Sequence, residues 1–342
     1  MATLNNIAGA LLIDATAAFL NGAGLGISSE DKNKVLPKTF REKVNGKSEE
    51  VPYVSAQSWR RWLRDTTNEE NGWNPSELHA IGEGSDKGTT NKIATELNPI
   101  DFPEDDLFGY MKAGTKNEES IQRTSPFKSS ILKGIKNMRT INNDEAFVHL
   151  KEGTPLPYST KFYSTHLEGF FNLEYYRLGV YDNIGSHQEL STELVTKHKD
   201  LLSKSTLGGK FKRYELKNAA QVRKANAAGL LKGLAFLRGG AKQAAFGSDV
   251  SPKVLILAGL ESANPIFNNL FVGTGEKPAL NIDLLKQLAN DYKAKLATPI
   301  YIGIRKGYLQ NEDGVQAIGD GFVVDSPVAV VNQFNQKYLS NE

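Results

Sequence analysis

Residues 53–65 read Tyr53-Val-Ser-Ala-Gln-Ser-Trp-Arg-Arg-Trp-Leu-Arg-Asp65. Ser55 stands where an N-cap belongs, so the spacing predicts a helix starting just after it. At 100° per residue, Gln57, Arg60, Arg61 and Arg64 fall within about a quarter of the circumference. Trp59, Trp62 and Leu63 take a separate arc, wide enough to seat the helix on a core. Three guanidiniums beside an amide suit a phosphate backbone, because each is planar, permanently charged and able to fork onto two oxygens. The same residues equally fit an ordinary solvated basic face.

Outward from this helix the chain mixes periods. Towards the N-terminus, residues 6–21 are rich in alanine, which favours helix. Yet Ile7, Gly9, Leu11, Ile13, Ala15, Ala17 and Phe19 also alternate as a strand would. Residues 28–50 are charged and predict an exposed loop or hairpin. Towards the C-terminus, residues 66–100 hold few apolar anchors and resemble an insertion. Core-like chemistry returns at 106–113. Residues 134–160, with Gly153, Pro155 and Pro157, predict a projecting hairpin or arm. Residues 162–181 carry the best strand signal, with Tyr163, Leu167, Phe171, Leu173 and Tyr175 on one face. That run is long for one flat strand, and Gly169 is expected to mark a bulge or bend. An amphipathic helix follows at 215–237 and stops at Arg238-Gly239-Gly240. Strands at 252–260 and 299–304, a helix at 282–296 and a last helix opened by Ser326-Pro327 complete the pattern. Without strict βαβ alternation, the expected class is α+β.

The chain has 342 residues, 39% of them hydrophobic, which supports one large or two smaller domains. With a net charge of +2, any nucleic-acid surface must be a local patch. The absence of cysteine excludes disulfides, thiolate zinc sites and cysteine nucleophiles. The apolar run 7–20 lacks a basic leader and contains Asp14, so a soluble, cytoplasmic protein without membrane contact is expected.

Several sites offer themselves. Asn21–Gly26 has Gly-x-Gly-x-Gly spacing, but a charged segment rather than a helix follows, so a structural turn is expected over a nucleotide loop. Gly82–Thr90 has phosphate-loop composition without the lead-in strand. The five histidines show no ligand spacing, and no metal or other cofactor is expected. His166 beside Glu168 is a possible general base for an RNA-processing enzyme, with no serine elbow or paired carboxylates to accompany it. Two further segments, Ser205–Arg213 with Lys210 and Lys212, and Arg238–Gln243 with Lys242, join glycines to cations. Glycine lets backbone approach phosphate closely. Four basic segments without a catalytic constellation favour a binder over an enzyme.

The string Tyr53-Val54-Ser55-x-Gln57-Ser58-x-x-Arg61 resembles the Ser-x-Gln helix of CRISPR-associated RAMP proteins of the DevR type, the repeated backbone subunits of type I (Cascade) surveillance complexes, here I-B-like. Asp106-Leu107-Phe108-Gly109-Tyr110-Met111 resembles their Leu-Phe-Gly block. Arg123-Thr124-Ser125-Pro126-Phe127 resembles their Arg-x-Ser-Pro segment. The resemblance implies an RRM-like (ferredoxin-like) palm from residues 1–65 and 161–342, a helical fingers insertion at 66–122, and a β-hairpin thumb with its base at 123–160. It turns residues 6–21 into a strand. It implies a non-catalytic subunit that polymerises along CRISPR RNA and presents the bases to target DNA. Partners would be further copies of itself, the 5′-handle-binding, large and small subunits, and the processing endonuclease. Ser55, Gln57, Ser58, Arg60, Arg61 and Arg64, with Asn21 and Gly22, would hold the RNA backbone. Arg123, Lys128, Lys136 and Arg139 would line the thumb base. Arg238, Gly239, Gly240 and Lys242 would clamp the backbone a second time, and Met138 or Phe147 would wedge between bases. The acidic cleavage loop of related type III subunits has no counterpart, since only Asp14, Glu30 and Asp31 lie nearby.

Overall fold

A computed structural model describes residues 2–25, 34–44, 46–81, 92–114, 120–148 and 156–340. Gly26, Glu30, Asp31 and the 82–90 loop lie outside them, as does the Phe147 side chain.

Residues Asn6–Ala18 form a strand, and its environment explains the ambiguous sequence. Ile7, Leu11, Ile13 and Ala15 enter one core, while Ala8, Ala10 and Leu12 enter a second on the opposite face. A strand buried on both faces is apolar throughout and loses its polar alternation. Antiparallel to it on one side runs Leu156–Leu173, and on the other Val254–Leu260. The central sheet orders Phe322–Asp325, Ile300–Ile304, Val254–Leu260, Asn6–Ala18, Leu156–Leu173, Leu132–Gly134, Lys47–Val54 and Thr39–Val44.

Helix α1 (Ala56–Asn71) opens at the Ser55 cap and closes on Gly72 in the left-handed region. The next helices are the short α2 (Pro103–Phe108), α3 (Thr192–Lys197) and the long α4 (Ala219–Ala235). Trp59 and Leu63 of α1 join Leu230, Leu231 and Leu234 of α4 in the same core, so these two helices cover one face of the sheet. A smaller sheet orders Leu202–Leu207, Phe211–Leu216, Val180–Ile184, His187–Gln188, Ile121–Arg123 and Tyr110–Lys112, over its own core around Tyr181, Leu190 and Tyr214.

Three expectations need correction. No bulge occurs at Gly169, which sits in regular register opposite Leu11. Its small size is needed instead because a Cβ there would fall 2.4 Å from Leu132 Cδ2. The irregularity lies in the partner strand, between Ala15 and Ala18. Among the described residues of 66–122, helix is confined to the end of α1, through Asn71, and to α2, with short strands in place of the helical insertion expected there. Nor is Gly22–Leu25 a loop, since it forms a strand against Lys34–Pro37.

Thr140–Val148 pairs with the first half of Leu156–Leu173 out to Val148 opposite Leu156. This hairpin is therefore a direct extension of the central strand, with Lys34–Pro37 paired alongside it at Ser159 and Thr160.

Candidate nucleic-acid interface

The Asn21 side-chain carbonyl accepts from Ser55 N–H at 3.0 Å, and its backbone carbonyl accepts from Lys38 N–H at 2.8 Å. One residue thus ties the end of the first strand to the start of α1. Ser55 Oγ in turn accepts from Ser58 N–H at 3.3 Å. The positive end of the helix macrodipole is held at this junction. Gln57 and Arg61, one turn apart, project from the first half of α1 and are exposed. Among the described residues Arg61 pairs with Asp65, at 2.9 Å and with both side chains about half exposed. Such a surface pair is worth ~0–1 kcal/mol and exchanges readily for a phosphate.

Beyond α4 the chain runs back along α1 and then crosses the end of the first strand. Gly239 lies flat on Trp62: a Cβ there would fall 2.3 Å from the indole Cγ, and its φ is +147°. Ala241 N–H donates to Leu20 O at 2.9 Å. Lys242 stands 5.1 Å over the Phe19 ring and donates to Thr160 Oγ1 at 2.8 Å. It thereby meets the hairpin midway along its ladder, where Thr160 is paired with Asp144. Phe246 packs against Phe19 and Phe162 with ring centroids 6.3 and 5.7 Å away. On the other side of the strand from Thr160, Lys161 joins Lys34, Arg41, Asn143 and the carboxylate of Glu50 around a cavity of about 550 Å³. None of Lys34, Arg41, Lys161 or the Phe19–Phe246 pair stands out in the sequence. Their cations lie dispersed along the chain, and only strand pairing collects them.

Asn21, Ser55, Gln57, Ser58, Arg61, Gly239, Gly240 and Lys242 therefore gather around the N-terminal half of α1. Arg238 lies further along the helix, bridged to Glu69 and Glu70 at 2.8 and 2.6 Å. Lys128 pairs with Glu174 but stays 53% exposed. Lys136 is exposed and has no ion pair among the described residues. Lys210 and Lys212 stand apart, on the second sheet.

Four arginines expected at this surface are turned inward instead. Arg60 donates to the carbonyls of Phe108 (3.1 Å) and Phe127 and to Ser125 Oγ (2.8 Å), with no carboxylate partner among the described residues. Burial lowers its pKa. Arg64 forks onto Glu104 at 2.7 and 2.5 Å. Arg139, 5% exposed, is taken up by Glu42, Glu49 and the Gly134 carbonyl, bracing the hairpin base. Arg123 is fully buried between Asp106 (2.5 Å) and Glu189 (2.8 Å). Burial would lower its pKa, but these two carboxylates outweigh it and the net direction is up. Met138 is likewise packed, against Gly273 in the second core.

The three blocks behind the resemblance meet at Arg60, which touches the Leu-Phe-Gly block through Phe108 and the Arg-x-Ser-Pro block through Ser125 and Phe127. Gly109 fits between them only because it lacks a Cβ, which would fall 2.3 Å from the Arg123 carbonyl oxygen. In this chain the three blocks are held together by a shared packing contact. His166 Nδ1 hydrogen-bonds Tyr308 OH at 2.5 Å, opposite Asp14, and burial lowers its pKa against the opposing pull of Asp14.

The described residues include no helix long and apolar enough to cross a membrane. The chain matches no protein-family description and no curated protein sequence. Solved structures do match. A chain of a "CRISPR RNA-guided surveillance complex, pre-nicking" aligns over 97% of this chain and 99% of its own length, at TM-score 0.58 and 10% identity. A chain of a "CRISPR RNA-guided surveillance complex" aligns over 97% and 98%, at TM-score 0.52 and 14% identity. The protein thus shares its whole-chain α+β fold with components of CRISPR RNA-guided surveillance complexes.

Proposed function

We propose that the protein is a non-catalytic backbone subunit of a type I, Cascade-like surveillance complex, which holds CRISPR RNA by its phosphates and polymerises along it in the cytoplasm. The observation that carries this reading is the gathering, beside the hairpin, of the α1 N-terminus, the Gly239–Gly240 loop, Arg61 and Lys242, the last reaching Thr160 midway along the hairpin ladder. Backbone N–H groups and exchangeable cations bind phosphate without reading bases, and Gly239 brings its loop beside them by lying against Trp62. The sheet order is consistent with an RRM-like palm. Val254–Leu260, Asn6–Ala18, Leu156–Leu173 and Leu132–Gly134 lie side by side, with α1 and α4 as the two crossover helices. In this reading the hairpin is the thumb, and base pairing with target DNA supplies the specificity.

The test is to express the protein with and without its CRISPR array and to sequence any RNA that co-purifies. Array-derived RNA in long multimers is the expected result. A nucleic-acid-free monomer that ignores added RNA rejects the reading. Replacing Arg61 and Lys242 together by Ala should weaken RNA binding uniformly across sequences. It should also flatten the slope of log K against log[salt] by about 1–2, as expected for one or two lost phosphate contacts.

A further inference from the structure

A cavity of about 400 Å³ opens on the second sheet, between α3 and the hairpin formed by Leu202–Leu207 and Phe211–Leu216. Lys210, Phe211, Lys212 and Tyr214 make one wall, and Gln188 and Thr196 lie across from them. None of its ten lining residues is Asp or Glu. Lys212 is registered between Asn183 and Thr206, so neither adjacent strand offers it a carboxylate. Lys210 lies 5.4 Å over the Phe211 ring. Among the described residues, neither lysine has an ion-pair partner.

The neighbouring residue makes the contrast. Arg213 points to the opposite face of its strand and is neutralised by Asp182 at 2.7 Å. A cavity of about 490 Å³ next to α3 balances Lys112 and Lys197 with Glu96 and Glu193. Of the two cavities that flank α3, only the first carries lysines with no carboxylate in its lining. Its size suits one nucleotide, with cations for a phosphate and an amide and a hydroxyl for a sugar or base edge. It is also remote from the α1 interface: the hairpin precedes the start of α4 and the Gly239 loop follows its end. That helix alone spans about 25 Å, from 17 residues at 1.5 Å each.

We propose that this cavity is a second, independent nucleic-acid site, taking one nucleotide of a single strand with its phosphate between Lys210 and Lys212. Only the test's reference state rests on the function proposed above. The protein carrying its co-purified RNA, in which the α1 interface is filled, is titrated with fluorescein-labelled hexathymidylate at several salt concentrations. The expected result is salt-sensitive binding that falls at least tenfold in Lys210→Ala/Lys212→Ala and further in Lys212→Glu. RNA content and melting temperature should stay unchanged, since both lysines are exposed. Equal binding by wild type and the double variant overturns the proposal. So does loss of the co-purified RNA from the variant, which would place the cavity on the guide's own path. Displacement by polyglutamate as effective as by oligonucleotide would mark an acidic-protein site and also overturn it. If no RNA co-purifies, the same titration on the RNA-free protein still reads the dependence on Lys210 and Lys212, so failure of the backbone role remains separate.

Discussion

Asp106 shows how much of this protein depends on single buried polar residues. It accepts from Arg123, from Gly179 N–H and from Asn226, and burial raises its pKa against the pull of Arg123. Removing one partner of such a pair strands the other in a low dielectric, at a cost of about 3–5 kcal/mol. Arg123→Ala is therefore expected to lose about that much in urea unfolding, whereas Arg61→Ala should change stability by less than about 0.5 kcal/mol. Two arginines that look equivalent in sequence separate into a structural and a surface class by this measurement. Glu104 adds a pH dependence. Burial alone would raise its pKa, but hydrogen bonds from Arg64 and Asn68 and the Arg64 charge bring it below the usual value. With the folded pKa depressed, its contribution is complete above the unfolded range near 4.3 and is lost as pH falls through the lower folded value. The unfolding free energy should fall below about pH 4.5, less steeply in Glu104→Gln, as checked by urea titration at successive pH values.

At the scale of elements, the start of α1 is held by its own cap residue Ser55 and by Asn21, 34 residues earlier. Ser55→Ala removes the acceptor for Ser58 N–H and should cost about 1 kcal/mol. Asn21→Ala should cost a comparable amount by freeing Ser55 N–H. Because both changes also loosen the N-terminal turn, RNA affinity should fall with stability, which separates them from Arg61→Ala in a binding assay. Hydrogen exchange distinguishes the sheets. Val254–Leu260 is buried at all seven positions, and its amides should be among the slowest to exchange. Leu202–Leu207 is an edge strand exposed at four of its six positions and should exchange orders of magnitude sooner.

Across the whole molecule, the two sheets are joined by α4 and by the Asp106–Arg123–Glu189 cluster rather than by a shared apolar layer. The α+β class, the α1 cap, the start of the last helix at Ser326-Pro327 and the buried strand at 254–260 were legible in the chain. Each rests on local periodicity or capping chemistry that acts over a few residues. Residues 6–18 were not decided by local pattern, because burial on both faces erases the polar alternation that marks a strand. The arginine face was misread for a related reason. Spacing around a helix tells which side chains share an arc, but not which carboxylates and carbonyls arrive there from 40 to 70 residues away. Glu104, Phe108, Ser125 and Phe127 take Arg60 and Arg64 out of solvent and leave Gln57 and Arg61 in it. The sequence by itself determined the helix and its charge. Only the tertiary structure decided which charges are spent on the fold and which remain outside, because ion pairing is settled by long-range proximity.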